Sequence, residues 1–204
     1  MLSAHGLACD RGDRRLFSAV DLSLSAGEWL QVEGANGAGK TSLLRMLAGL
    51  SPTADGHIEW EGRPIGEARD EYHARLLYLG HAPAIKEDLS ALENLQTAAA
   101  VAGRPLDEAT ALAALRRIGL KGREDLPTRV LSQGQKRRVA LSRLLCSQAR
   151  LWILDEPFVA LDVAAVDWLA GIISGHLQRG GLAVMTTHQL VDIPAGTVRE
   201  LRLG

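Results

Sequence analysis

The sequence predicts an α/β protein whose main sheet is parallel. Two observations favour this class: apolar segments of strand length alternate with segments of helical spacing, and a glycine-rich loop joins one such strand to one such helix. The chain has 204 residues, 47% of them hydrophobic, enough for one globular domain with a sizeable core. We therefore expect a single domain over residues 1–204, with a helical subdomain at about 84–145.

The first third of the chain supplies the strands on either side of the glycine-rich loop, and one helix. Gly27 marks a turn between two strands. After the loop, Leu43, Leu44 and Leu47 recur at helical spacing, and Pro52 stops the helix. The expected elements are short strands within 1–30 (among them 16–24), strands at 28–33 and 57–60 and a helix at 41–50.

The rest of the chain is helical in the middle and returns to strand–helix alternation near its end. Segments 103–105 and 119–127, which contain glycine and proline, divide the middle into separate helices. Residues 151–154 are an uninterrupted apolar run, as in strands that are covered on both faces. The expected elements are helices at 89–101, 106–118, 134–145 and 163–178 and strands at 151–154 and 182–186.

Charge and cysteine content exclude several classes of protein. Lys and Arg total 23 and Asp and Glu total 24, so the basic excess of a nucleic-acid-binding surface is missing and we expect no nucleic-acid partner. We interpret the run Lys136-Arg137-Arg138 as a solvated helix face. Cys9 and Cys146 are too few for a disulfide framework or a zinc site. No run approaches the ~18 apolar residues that span a bilayer, so a membrane role must come through a partner.

The glycine-rich loop has the pattern of a phosphate-binding loop. The segment from Gly34 to Thr41, G-A-N-G-A-G-K-T, matches G-x-x-x-x-G-K-[ST] and lies between a strand and a helix. Its glycines let successive N–H groups point at phosphate oxygens. We expect Lys40 to reach the β- and γ-phosphates of ATP and the Thr41 hydroxyl to coordinate Mg²⁺. The predicted ATP-binding residues are Gly34, Ala35, Asn36, Gly37, Ala38, Gly39, Lys40, Thr41 and Ser42.

Two carboxylates follow the apolar strand at 151–154. Ligands in open α/β sheets lie at the carboxyl ends of the strands, where Asp155 and Glu156 stand. We expect Asp155 to help hold Mg²⁺ and Glu156 to polarise the attacking water. Taken alone, such a pair is more often a solvated acidic turn; beside a phosphate loop the functional interpretation is favoured.

A third motif carries a resemblance to a known family. The segment L-S-Q-G-Q-K-R-R-V-A-L at 131–141 resembles the signature motif of ABC transporter ATPases, and the phosphate loop, the acidic pair, Asp162 and His188 stand in that family's order. The resemblance implies a P-loop, RecA-like core with a small antiparallel β subdomain and an inserted helical subdomain. It also implies ATP hydrolysis by a homodimer, with Lys40, Glu156 and His188 as catalytic residues.

The same resemblance assigns roles between the two subunits. The signature residues of one subunit face the γ-phosphate that the other subunit binds, and Asp162 of the D-loop couples the two sites. Ser132 and Gln135 also have the spacing of a capping box at a helix start, an interpretation compatible with the first. The signature residues are Ser132, Gln133, Gly134 and Gln135.

The chain departs from the family pattern at three places. His81 or Ala82 stands where the family usually has a glutamine that senses Mg²⁺ and connects to the membrane partner. Gln133 replaces the usual glycine of the signature, which requires its side chain to point outward. No aromatic residue is present near residues 10–12 to stack on adenine, and Arg11 is the candidate substitute through its planar guanidinium.

The segments at 80–86 and 155–162 further resemble the ATP-binding subunits of cytochrome c biogenesis haem exporters. This resemblance implies a peripheral subunit on the cytoplasmic face of the inner membrane, with CcmB-like and CcmC-like membrane subunits. In such a complex ATP hydrolysis drives haem export or release of a haem-loaded chaperone. The six histidines are scattered, and we expect no direct haem binding.

Three alternatives remain at this point. Another ABC importer or exporter would share every catalytic residue. A soluble ABC ATPase acting on DNA or ribosomes usually carries two ATPase units or large inserted arms, and this sequence shows neither. A P-loop kinase of a small metabolite would need neither the signature segment nor a dimer.

Overall fold

The strands of this computed structural model, which describes residues 1–187, 189 and 191–204, form two sheets. One sheet is antiparallel, with β1 (Leu2–Arg11), β2 (Arg14–Leu24), β4 (Asp55–Trp60) and β5 (Arg63–Pro64) in the order β2-β1-β4-β5. The other is parallel, with β3 (Glu28–Gly34), β6 (Leu76–Leu79), β7 (Leu151–Asp155), β8 (Leu182–Thr186) and β9 (Thr197–Leu203) in the order β6-β7-β8-β3-β9.

The helices lie between and beside these strands. They are α1 (Lys40–Leu47), α2 (Arg69–Ala74), α3 (Ala91–Val101), α4 (Glu108–Arg117), α5 (Gln133–Cys146) and α6 (Val163–Gln178), with one 3-10 turn at Thr128–Val130. Ser90 and Asp107 cap α3 and α4 with side-chain oxygens, which explains why both helices begin two residues later than the apolar spacing predicts.

Two hydrophobic cores lie on opposite faces of the parallel sheet. Side chains alternate along a strand, so β7 sends Leu151 and Ile153 into the core shared with α1 and the antiparallel sheet. It sends Trp152 and Leu154 into the core shared with α3, α4, α5 and α6. Both central strands β7 and β8 are buried along their whole length, as the uninterrupted apolar runs predict.

The predicted α/β fold with a second, antiparallel sheet is confirmed, and β5, β6, β9 and α2 are additional to the prediction. The strand β6 has only four residues, too few to show a period. The strand β9 is an edge strand whose residues are mostly exposed and partly charged, and α2 has only six residues. In the described part of the chain, every helix is too short or too polar to span a bilayer.

Candidate functional site

The glycine-rich loop occupies the connection between β3 and α1, at the carboxyl edge of the parallel sheet. Gly34 and Gly39 have φ of 146° and 99°, values that favour glycine. A Cβ on Gly34 would lie 2.5 Å from the Leu203 carbonyl oxygen, and one on Gly39 would lie 3.0 Å from the Phe17 ring. Glycine is therefore required at both positions by backbone conformation and by close approach of neighbours.

Lys40 begins α1 and folds its side chain back along the loop. Its Nζ donates hydrogen bonds to the carbonyl oxygens of Gly34 at 2.7 Å and Ala35 at 3.2 Å. The ammonium thus lies over the same loop whose N–H groups and helix N-terminus attract anions. A phosphate in this loop would meet the charge of Lys40 and the helix dipole together.

The acidic pair lies beside the loop, as the sequence predicts. Thr41 Oγ1 donates to Asp155 Oδ2 at 2.8 Å, so the first turn of α1 contacts the end of β7. Asp155 is only 2% exposed, and its second oxygen accepts a hydrogen bond from Thr186 Oγ1 at 2.7 Å. These neighbouring hydroxyl and carboxylate oxygens are the hard ligands that Mg²⁺ prefers.

The donor set matches the way Mg²⁺ is held beside nucleotides. Such ions take one or two protein oxygens and complete their coordination with phosphate oxygens and water. Across the residues that the structure describes, no three His, Cys, Asp or Glu side chains form a metal cage of their own. Thr41 and Asp155 therefore fit a Mg²⁺ ion that arrives with a nucleotide.

Glu156 follows β7 with an unusual backbone conformation. Its φ is 50°, in the left-handed region that residues other than glycine seldom adopt. Its N–H donates to Thr186 Oγ1 at 2.8 Å. The hydroxyl of Thr186 thus bridges Asp155 and Glu156. Sequence reasoning missed Thr186, although its place at the end of a buried strand beside β7 was an available signal.

A cleft of about 460 Å³ opens between these groups. The loop, the acidic pair and Gln189 line it, and so does Arg11, the expected substitute for the family's aromatic residue. Of the two residues at the place of the family's glutamine, His81 and Ala82, His81 lines the cleft. The volume and its mixed lining suit a small polar ligand. Gln189 was not predicted. His188, the predicted γ-phosphate contact, lies outside the described residues.

The basic run at 136–138 is not a solvated face throughout, and that interpretation is wrong for its central residue. Arg137 is 5% exposed and donates to main-chain carbonyls at the ends of β6 and β7. Lys136 and Arg138 are part-exposed and pair with Glu87 and Asp162, each at 2.6 Å. The missed signal was position: Arg137 lies four and seven residues before buried leucines of α5, on the same helix face.

The signature segment forms the start of α5. Ser132 Oγ accepts from the Gln135 N–H at 3.3 Å, and Gln135 Oε1 accepts from the Ser132 N–H at 3.0 Å, so the expected capping box is present. Gln133 is exposed, which is consistent with the outward-pointing side chain expected of a residue that replaces the usual glycine. A Cβ on Gly134 would lie 3.0 Å from the Ala160 carbonyl oxygen, closer than an ordinary van der Waals contact, so glycine fits best at this position. None of the described residues that line the cleft belongs to this segment.

Asp162 connects the signature helix with α6. One of its carboxylate oxygens caps α6 by accepting from the Ala165 N–H at 2.8 Å, and the other accepts from Arg138 at 2.6 Å. A structural role for Asp162 is therefore visible in the single chain. Its expected action between two subunits is not tested by these contacts.

Comparison with known proteins gives a family and a fold. The sequence profile of the ABC transporter family matches residues 17–159, which include the phosphate loop, the signature segment and the acidic pair. Among solved structures, the dimeric ATP-binding cassette MJ0796, bound to ADP and Pi in a post-hydrolysis state, has the same fold. The TM-score is 0.85 at 20% identity, covering 100% of this chain and 96% of that one.

Curated relatives match over nearly their full length. The cytochrome c biogenesis ATP-binding export protein CcmA of Dechloromonas aromatica is 65% identical over 204 residues, covering 100% of both chains. The protein of the same description from Escherichia coli K12 is 48% identical over 203 residues, covering 100% of this chain and 96% of the relative.

Proposed function

The chain belongs to the ABC transporter family, and we propose that it is the ATP-hydrolysing subunit of a membrane complex that serves cytochrome c biogenesis. The observation that carries the ATPase activity is the 2.8 Å hydrogen bond between Thr41 and Asp155, residues 114 positions apart. It joins the phosphate loop to the acidic pair, so one cleft holds the groups for binding and for hydrolysis. The pathway is supported by full-length relatives described as cytochrome c biogenesis export proteins.

In this proposal the loop binds the phosphates of ATP. The N–H groups from Gly34 to Ser42 and the positive end of α1 cradle the β- and γ-phosphates. Lys40 moves from the two carbonyls that it now contacts to the phosphate oxygens. Arg11, at the outer side of the cleft, stacks on the adenine ring.

Hydrolysis requires groups that act on the terminal phosphate. Thr41 and Asp155 would hold Mg²⁺, which when bound would neutralise charge on the phosphate oxygens. Glu156 orients the attacking water and accepts its proton, and its position is set by the hydrogen bond to Thr186. Lys40 stabilises charge on the γ-phosphate. His188 contacts the same phosphate.

We propose that the site is completed by a second copy of this chain. The signature residues Ser132, Gln133, Gly134 and Gln135 lie at the tip of α5, away from the chain's own cleft. A helix N-terminus with a serine hydroxyl suits an anion. In a face-to-face homodimer, Ser132 of one copy contacts the terminal phosphate bound by the other, and Asp162 lies between the two sites.

The relatives, described as ATP-binding export proteins of cytochrome c biogenesis, support a wider assembly. We place the subunit on the cytoplasmic face of the inner membrane, with CcmB-like and CcmC-like membrane subunits. Hydrolysis there drives haem export or release of a haem-loaded chaperone, without haem binding by this chain. Residues 1–204 act as one ATPase domain, and the helical subdomain at about 84–145 carries the signature tip.

The test of the ATPase activity uses Glu156→Gln, which keeps the side chain's size but cannot accept the water's proton. The purified wild-type chain should release ADP and inorganic phosphate. The variant should bind ATP and Mg²⁺ and elute as a stable dimer, which size-exclusion chromatography detects. The double variant Lys40→Ala/Glu156→Gln should remain monomeric. A variant that stays monomeric with ATP, or a phosphorylated metabolite as product, would favour the P-loop kinase.

The pathway has a separate test. The chain is purified from membranes under mild detergent, and its companions are identified by mass spectrometry. CcmB-like and CcmC-like proteins should accompany it. Recovery of a different permease would keep the ATPase activity and assign the chain to another ABC importer or exporter.

A further inference from the structure

Arg137 is a buried cation whose contacts lie beneath the cleft. Its Nη1 donates to the carbonyl oxygens of Gly80 and His81, both at 3.2 Å. Its Nη2 donates to the carbonyl oxygens of Asp155 at 3.1 Å and Glu156 at 2.7 Å. One guanidinium therefore joins four carbonyls from two separate segments of the chain.

These carbonyls lie where two neighbouring strands separate. The parallel ladder between β6 and β7 ends at the pair Leu79 and Leu154. Beyond that pair the two main chains enter the cleft, where His81 and Glu156 line the wall. Beyond the end of the ladder, the hydrogen bonds of the planar Arg137 guanidinium connect the two main chains. A lysine ammonium could not replace it, because its donors lack this fixed planar geometry.

This arrangement is a poor source of stability. Arg137 is 5% exposed, and its Nε has no hydrogen-bond partner among the described residues. Burial lowers the pKa of the guanidinium, and the carboxylates of Asp155 and Glu156 oppose that shift. Burying a charge with an unsatisfied donor generally costs about as much folding free energy as its contacts contribute. We therefore attribute the presence of Arg137 to the geometry that it imposes on the main chain.

Of the four residues whose carbonyls Arg137 contacts, Glu156 has a strained backbone conformation. Its φ of 50° is a strained conformation for a residue with a Cβ, and strain of this kind persists only where surrounding contacts hold it. Thr186, which accepts from its N–H, and Arg137, which donates to its carbonyl oxygen, contribute to this support.

We propose that Arg137 is a positioning residue for ATP hydrolysis. It fixes the main chain that carries Glu156 and His81 at the cleft, without contacting the nucleotide. This inference rests on the proposed ATPase activity. Loss of the fork lets the Glu156 carboxylate drift from the attacking water while the phosphate loop stays intact, so turnover falls and ATP binding does not.

The experiment compares Arg137→Gln and Arg137→Lys with wild type in the full chain, measuring steady-state kcat and KM for ATP. Displacement of a catalytic group by about 1 Å costs on the order of 100-fold, so kcat of the Gln variant should fall about 10- to 100-fold. KM should stay within about twofold, since ground-state binding is unchanged. Arg137→Lys, with donors but no fork, should give an intermediate kcat.

The matched control is Arg150→Gln, at the opposite end of β7 from Asp155. It removes a cation whose partner is Glu61, outside the cleft, at 2.6 Å. Its kcat and KM should equal those of wild type. Thermal unfolding of every variant, followed by circular dichroism, separates lost turnover from lost folded protein.

The outcomes separate this inference from the proposed function. Wild-type kcat in folded Arg137→Gln overturns the positioning role and leaves the ATPase activity standing. If the Gln variant does not fold, Arg137→Lys decides: a folded Lys variant with wild-type kcat overturns the role, and one with reduced kcat and unchanged KM supports it. A parallel rise in KM would also overturn it. No hydrolysis by wild type would instead refute the proposed function.

Discussion

The two sides of the cleft are built differently. The phosphate-loop side is contiguous in sequence, from Gly34 to Ser42, and its geometry comes from glycine conformations and the start of α1. The acidic side has two contiguous residues, but Thr186 and Arg137, from distant parts of the chain, hold them in place. The loop side is therefore defined by local sequence, whereas the acidic side depends on long-range contacts.

This difference predicts how substitutions on each side should affect ATP binding and turnover. Changes in the loop remove groups that we propose to bind phosphate, so binding and turnover should fall together. Changes behind the acidic pair leave binding groups in place and should act on turnover alone. Four predictions test this distinction, in order of decreasing expected effect.

Lys40→Ala should have the largest effect. The variant loses the charge that stabilises the phosphates, so kcat/KM should fall by about 1,000-fold or more. Steady-state phosphate release measures it, with Arg45→Ala as the control, because Arg45 is on the same helix and contacts Ser51 instead. Hydrolysis at the wild-type rate by Lys40→Ala would refute the assignment of the phosphate loop.

Gly34→Ala should destabilise the loop side through its backbone. The new Cβ would lie 2.5 Å from the Leu203 carbonyl oxygen at a φ of 146°, and overpacking with backbone strain costs about 2–4 kcal/mol of unfolding free energy. Urea unfolding measures the change. Gly37→Ala, which has positive φ but no atom within 4 Å of the Cβ, should cost only about 1–2 kcal/mol. Equal losses in the two variants would contradict the role of close approach.

Thr186→Val should act on the acidic side. The substitution keeps the shape of a fully buried side chain but removes the Thr186 hydroxyl, which accepts from the Glu156 N–H and donates to Asp155. We expect a fall in kcat of about tenfold, with KM within about twofold. Thr128→Val is the control, since it removes a buried hydroxyl that donates to the Lys86 carbonyl instead. Loss of ATP affinity in Thr186→Val would break the distinction between the two sides.

The smallest effect concerns pH and the strand that carries the acidic pair. His176 stacks on Trp152 of β7 at 3.8 Å, and burial lowers the pKa of His176 to about 4. Because the unfolded histidine titrates near its usual value of about 6.5, the neutral ring contributes full stability above pH 6.5. That contribution is lost as pH falls towards 4.

The measurement is the free energy of unfolding of wild type and His176→Phe between pH 7.5 and 4.5. The phenylalanine ring can stack but cannot take up a proton, so the decline of wild-type stability with acid should be smaller in the variant by about 1–2 kcal/mol. Identical pH dependence in the two proteins would show that folding does not lower the pKa of His176.

Prediction from sequence succeeded where the pattern is local and periodic. The loop, the helices α3 to α6 and the buried strands β7 and β8 are all recognisable from spacing, and their existence is confirmed. It missed β6, which is too short for a period, and β9, whose residues are mostly exposed. It was wrong about Arg137, because a run of basic residues is normally interpreted as solvent-exposed unless the buried face of the helix is known.

The sequence by itself determined the fold class, the phosphate loop and the identity of the acidic residues, because these depend on contiguous residues and on spacing within single elements. Only the tertiary structure decided that Thr186 bridges Asp155 and Glu156 and that Arg137 joins the ends of β6 and β7. The physical reason is range: hydrogen bonds between residues far apart in the chain, many of them to main-chain groups, carry no sequence signature, so any suitable residue that the fold brings near can make them.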